Sequence, residues 1–81
     1  MITVVIPTLN EEENIAGVVE FAKGQPNVTE VIVVDDKSLD NTVLIAQQHG
    51  AKVFTSTKLG KGASMKDGLH FATNNIIVFL D

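Results

Sequence analysis

The sequence contains no cysteine, tryptophan, tyrosine or arginine, and only two prolines in 81 residues. Without cysteine there is neither a disulfide scaffold nor a thiolate metal site, which fits a reducing, cytoplasmic compartment. Phe21, Phe54, Phe71 and Phe79 are the whole aromatic set, and the six cations are all lysines set against ten acids, for a net charge of −4. A base-stacking platform and a basic stripe are therefore both missing, and nucleic acid is excluded as a partner. No window approaches the roughly 18 apolar residues of a membrane span. The opening "MITVVIP" has no basic leader before a long apolar stretch, so no signal peptide is read there.

What is present is 44% hydrophobic residues, arranged in four short Val/Ile-rich runs: 2–7, 30–35, 51–55 and 76–80. They alternate little between apolar and polar, the pattern of parallel strands buried on both faces. Three stretches with helical spacing separate them. In the first, Asn10 and Glu13 have capping-box spacing, Ile15, Val18, Val19 and Ala22 share a face, and Gly24 with Pro26 ends the helix. In the second, Asp40 caps, Thr42, Ile45, Ala46 and His49 share a face, and Gly50 terminates. In the third, Met65, Leu69 and Ala72 form the expected buried stripe, and Gly68 lets helix and sheet approach closely.

The order β-α-β-α-β-α-β with right-handed crossovers predicts a single α/β domain over residues 1–81. Its sheet is Rossmann-like, with strand order 3-2-1-4 and helices on both faces. Such a sheet binds ligands beyond the carboxyl ends of its strands, where the winding direction reverses. Polar segments are expected at that rim: "PTLNEEEN" (7–14), "DDKSLDNT" (35–42), "KLGKGAS" (58–64) and Asp81.

Each has a plainer reading. Acids in a first helical turn favour the macrodipole, and Asp40 suffices as a cap. His49 and His70 have no partner at metal-ligand spacing. The acids matter as a group: two carboxylates about 6 Å apart repel by roughly 2–3 kcal/mol at an effective dielectric near 20. A divalent cation or ligand donors would relieve that repulsion, and oxygen-only ligands point to Mg2+ or Mn2+. Lys61 between Gly60 and Gly62, opening a helix, suits a phosphate or diphosphate.

Common nucleotide-binding plans fail. The first strand–helix turn lacks G-x-G-x-x-G, and "GKG" does not complete a P-loop. The acidic pair follows the second strand, where a phosphoacceptor receiver domain has it after the first.

Together, "VVIPTLNEEENI", "VIVVDDKSLDNT", "GKGASMKDGL" and "IIVFLD" resemble the amino-terminal half of family 2 glycosyltransferases of GT-A fold. The branch that includes polyprenyl- and dolichyl-phosphate sugar transferases looks nearest. The resemblance implies that Pro7, Thr8, Leu9 and Glu11 line the base and ribose of a UDP- or GDP-sugar. By the same resemblance Asp36 hydrogen-bonds the base, Asp40 caps a helix and Lys61 helps hold the nucleotide. Asp81 matches the first aspartate of a D-x-D motif, binding the ribose and, through its partner, the metal. The implied activity is inverting transfer of the sugar to an acceptor hydroxyl or lipid phosphate. No catalytic residue is assigned within 1–81, and the second Asp, the acceptor site and the base are expected beyond it. On this reading the chain is a truncated nucleotide-binding domain, inactive alone. Its exposed fourth strand invites self-association, and any membrane attachment would come from other parts of a parent protein. The competing reading is a non-catalytic nucleotide-binding or structural module of the same doubly wound fold.

Overall fold

The structure, a computed structural model, describes residues 1–56 and 61–80. Seven elements follow in order: β1 (Ile2–Thr8), α1 (Ile15–Lys23), β2 (Val28–Asp35), α2 (Thr42–Gln48), β3 (Lys52–Thr55), α3 (Lys61–Phe71) and β4 (Ile76–Phe79). The strands form one sheet in the order β3-β2-β1-β4, with every pair parallel. The expected architecture is thus observed. The register pairs Val5 with Ile32 on one side of β1 and with Phe79 on the other.

Alternation along the two central strands makes two apolar layers. Val4, Ile6, Val31 and Val33 face α1 and α2, where Ile15, Val19, Ala22, Ala46 and Ala51 complete the layer. Val5, Ile32 and Val34 face the other way, against Phe54, Phe71, Ala72 and Ile77. Each fully buried Ile or Val contributes about 1.5–3 kcal/mol by leaving water. Phe54 and Phe71 stack with ring centroids 3.9 Å apart, fixing α3 over β3. Gly68 is required: a Cβ there would lie 2.3 Å from Cγ1 of Val5, far inside contact distance.

The amino-terminal end of the sheet carries a buried polar clasp. Glu30, 6% exposed, accepts the Thr3 hydroxyl at 2.7 Å, the Lys52 ammonium at 2.6 Å and the Thr73 N–H at 2.9 Å. Burial alone would push this carboxyl up; the three donors outweigh burial and hold it at about 2. Thr3, Glu30 and Lys52 thereby tie β1, β2 and β3 to the turn before β4.

Several expectations need correction. Asn10 does not cap α1. That helix begins at Ile15 behind Asn14, because Glu11–Asn14 form a turn in which the N–H groups of Asn14 and Ile15 both donate to the Glu11 carbonyl. Leu69 is 51% exposed rather than buried, since Gly68, Phe71 and Ala72 take the sheet-facing positions; the side chain of Met65 lies outside the described residues. Strand β4 is not buried on both faces: Ile76, Val78 and Phe79 are 55%, 45% and 36% exposed. Among the described residues it is an edge strand, paired with β1 alone. Gly50 ends α2 as expected, with φ 91°.

Candidate functional site at the carboxyl ends of the strands

Strands β1 and β2 finish side by side, with Thr8 opposite Asp35 in the register. Their two loops are laced together. Asp36 N–H donates to the Thr8 carbonyl at 2.9 Å, and the Thr8 hydroxyl donates to Oδ1 of Asp35 at 3.1 Å. Further out, Glu11 N–H donates to the Thr42 hydroxyl at 2.8 Å and Glu12 N–H to Oδ2 of Asp40 at 3.2 Å. The Leu39 N–H reaches Oδ1 of Asn10 at 2.8 Å. A rim of this kind holds its backbone donors satisfied without regular structure.

The N-cap of α2 is Asn41 and not Asp40 as expected, but the Asp40 carboxylate, one residue earlier, still takes up a donor of the first turn. Its Oδ1 accepts both the N–H, at 3.0 Å, and the hydroxyl of Thr42, the first residue of α2. The Thr42 hydroxyl bond holds its carboxyl below the usual range against a smaller opposing effect of burial, with the amides of Thr42 and Glu12 adding to the lowering.

The two acids at the end of β2 differ in kind. Asp35 is 2% exposed and fully engaged: Oδ1 takes the hydroxyls of Thr8 and Ser38, and Oδ2 takes the Ser38 N–H at 2.8 Å. Asp36 is half-buried, and its Oδ1 is buried without any hydrogen-bond partner. A buried carboxylate oxygen left bare costs about 1–3 kcal/mol, so it is an acceptor awaiting a donor. On the α1 side of the same rim, Ile6, Pro7, Thr8, Glu11, Ile15 and Val18 line a hollow of about 210 Å³.

The structure therefore brings Pro7, Thr8, Glu11 and Asp36 to one rim, with Leu9 on the same loop and 51% exposed. Lys61 opens helix α3, but its side chain lies outside the described residues, as does all of Asp81. Leu80, just before it, donates its N–H to the Val5 carbonyl at 2.9 Å, which holds the end of β4 beside β1. Among the described residues no group of three or more His, Asp or Glu is gathered to hold a metal.

Sequence reasoning passed over Asp35, Ser38 and Asn10 as site-builders. A local signal existed for one of them: Asn tolerates the left-handed backbone that Asn10 adopts at φ 51°.

Comparison with known proteins gives a consistent result. A glycosyltransferase of Mycobacterium bovis, uncharacterized, is 36% identical over 80 residues, spanning 99% of this chain and 35% of that protein. The glucosyl-3-phosphoglycerate synthase of Petrotoga mobilis is 34% identical over 93 residues, covering 99% of this chain and 29% of its own length. The crystal structure of glucosyl-3-phosphoglycerate synthase from Mycobacterium tuberculosis with Mn2+, UDP and glucosyl-3-phosphoglycerate superposes with a TM-score of 0.90 at 33% identity. It covers all of this chain and 33% of that one. The same enzyme with Mn2+, UDP-glucose and phosphoglyceric acid also gives 0.90. The chain spans about a third of the length of these relatives. The glycosyl transferase family 2 profile matches residues 3–81, and this chain belongs to that family.

Proposed function

We propose that this chain is the nucleotide-binding part of an inverting glycosyltransferase that takes its sugar from a UDP- or GDP-sugar and passes it to an acceptor hydroxyl or lipid phosphate. One observation carries the reading: the buried, unpartnered Oδ1 of Asp36 at the carboxyl-end rim, where its own N–H is bonded to Thr8. Uracil and guanine each present an imino N–H that such an acceptor would take, and a carboxylate is an acceptor only. Solved relatives holding UDP or UDP-glucose support the same assignment.

In this reading Asp36 orients the base, and Pro7, Thr8, Leu9 and Glu11 enclose base and ribose. Lys61 and the backbone amides at the start of α3 face the diphosphate, where a cation and a helix amino terminus favour negative charge. The donors offered by the rim are oxygens, which suits a hard cation, and Asp81 is the residue assigned to it. A bound Mg2+ or Mn2+, as held by the solved relatives, supplies neutralisation of charge on the departing diphosphate. Residues 1–81 contribute binding, orientation and charge compensation at the leaving group. The base that deprotonates the acceptor is assigned to none of them.

Calorimetric titration of UDP and GDP into the chain with Mn2+ tests the reading. Wild type is expected to bind one of them, and Asp36→Ala to bind it at least tenfold more weakly. Equal affinity in the two proteins would remove Asp36 from the site.

A further inference from the structure

Ser38 is the crossing point of the rim. Its N–H donates to Oδ2 of Asp35 at 2.8 Å, and its hydroxyl donates to Oδ1 of the same carboxylate at 2.5 Å. That hydroxyl also accepts the Asn10 N–H at 2.8 Å, and the Oδ1 of Asn10 accepts the N–H of Leu39. Among the ties between the loops after β1 and β2, the Ser38 side chain is the one anchored to a fully buried acid. Between anchor and crossing the backbone is forced into a left-handed turn, with Lys37 at φ 58°. Few residues other than glycine adopt this region, and they do so when the surroundings over-determine it. Asp36 is the residue caught inside the turn.

The geometry points to Ser38 as a positioning residue for base recognition, holding Asp36 with its bare oxygen turned inward. The inference rests on the proposed role of Asp36 and deepens it. An isolated Asp36 would rotate its carboxylate into water, where both oxygens find donors. Two constraints oppose that: the Asp36 N–H is fixed on the Thr8 carbonyl, and the next two residues are fixed by the Ser38 bonds to Asp35. The carboxylate then meets only a base with an N–H at the contacted ring position. Uracil and guanine have one; cytosine and adenine present a lone pair there, and two acceptors repel.

Affinities for UDP, GDP, CDP, ADP and inorganic pyrophosphate, each with Mn2+, test this on the whole chain. Wild type is expected to prefer UDP over CDP, or GDP over ADP. Ser38→Ala is expected to lower that preference about tenfold, the scale of one hydrogen bond's worth of selectivity, while pyrophosphate affinity stays within twofold. Ser38→Thr keeps the hydroxyl and restores the preference. A Ser38→Ala protein with the wild-type preference, or one that loses base and pyrophosphate affinity alike, overturns the inference. If Ser38→Ala does not fold, Ser38→Cys decides. The thiol keeps the side chain's place but is only a weak hydrogen-bond donor to Asp35. It should cut the preference at least threefold, and no change would overturn the inference. Failure of the underlying reading looks different: Asp36→Asn would then leave the preference where wild type has it.

Discussion

Lys52 reaches from edge strand β3 to Glu30, its Nζ 2.6 Å from Oε2, and sets a half-exposed ammonium on a carboxylate that is 6% exposed. The pair is held by further donors from Thr3 and Thr73, which is why the carboxyl sits at about 2 instead of 4.5. A carboxyl lowered on folding adds stability above its unfolded value, and that contribution is lost as pH falls from about 4.5 to about 2. Its full size is about 3 kcal/mol. Glu30→Gln should therefore be less stable than wild type at pH 7, and the gap should close as the pH approaches 2. Urea unfolding at pH 7, 4 and 2.5 measures it. A gap independent of pH would show that the charge of Glu30 does not matter.

The bare oxygen of Asp36 makes a second, opposite expectation. Asp36→Ala removes an unsatisfied buried acceptor, so the ligand-free protein should gain about 1 kcal/mol, or several degrees in Tm for a domain this small. In wild type, nucleotide with Mn2+ at a hundred times its Kd should add about 2.7 kcal/mol, and a chelator should reverse the gain. In Asp36→Ala that gain should be lost. Thermal scans with and without UDP, GDP and EDTA would show both effects. A variant both less stable and still nucleotide-responsive contradicts them.

Gly68 sits against Val5 with no room for a methyl group. Gly68→Ala should cost about 1–3 kcal/mol by overpacking, despite the better helix propensity of alanine. It should also lift the start of α3, seven residues or about 10 Å away along the axis, from the rim. Val5→Ala in the same protein should recover part of the loss, and a double-mutant cycle reads the coupling. Additive losses would mean that helix and sheet do not meet there.

Strand β4 exposes Ile76, Val78 and Phe79 along an unpaired edge, whereas the opposite edge strand, β3, begins with the charged Lys52. An uncharged, apolar edge templates pairing with another chain. In the 81-residue chain, sedimentation should show concentration-dependent association, weakened by Val78→Lys. A wild type that stays monomeric at high concentration would argue that the edge is already blunted.

The sheet was legible because it depends on local pattern. Short β-branched runs such as Val31–Val34, set between helical stretches, read as buried parallel strands, and the crossover rule then orders them. Capping was harder. Asn10 and Glu13 have the right spacing for a box, yet Asn10 is drawn across to Leu39, a partner 29 residues away that local pattern cannot reveal. The same long range hid the division of labour between Asp35 and Asp36. Adjacent identical residues differ only because strand alternation sends one side chain into the Thr8–Ser38 network and leaves the next without a partner. Leu69 misled because helical periodicity marks a stripe without saying that Gly68, beside it, would be the point of closest approach.

The pairing of Ile2 with Ile76 sets the order in which the molecule can be completed. Strand β1 is made before its two partners and meets β2 early, but its other flank stays open until 74 residues beyond Ile2 have been made. During that interval the open flank of β1, an Ile/Val-rich ribbon, is available to wrong partners. Helix α3 spans that late crossover, so any slowing of synthesis across it prolongs the hazard. Of these four strands, the one made earliest keeps a flank open until the latest has formed.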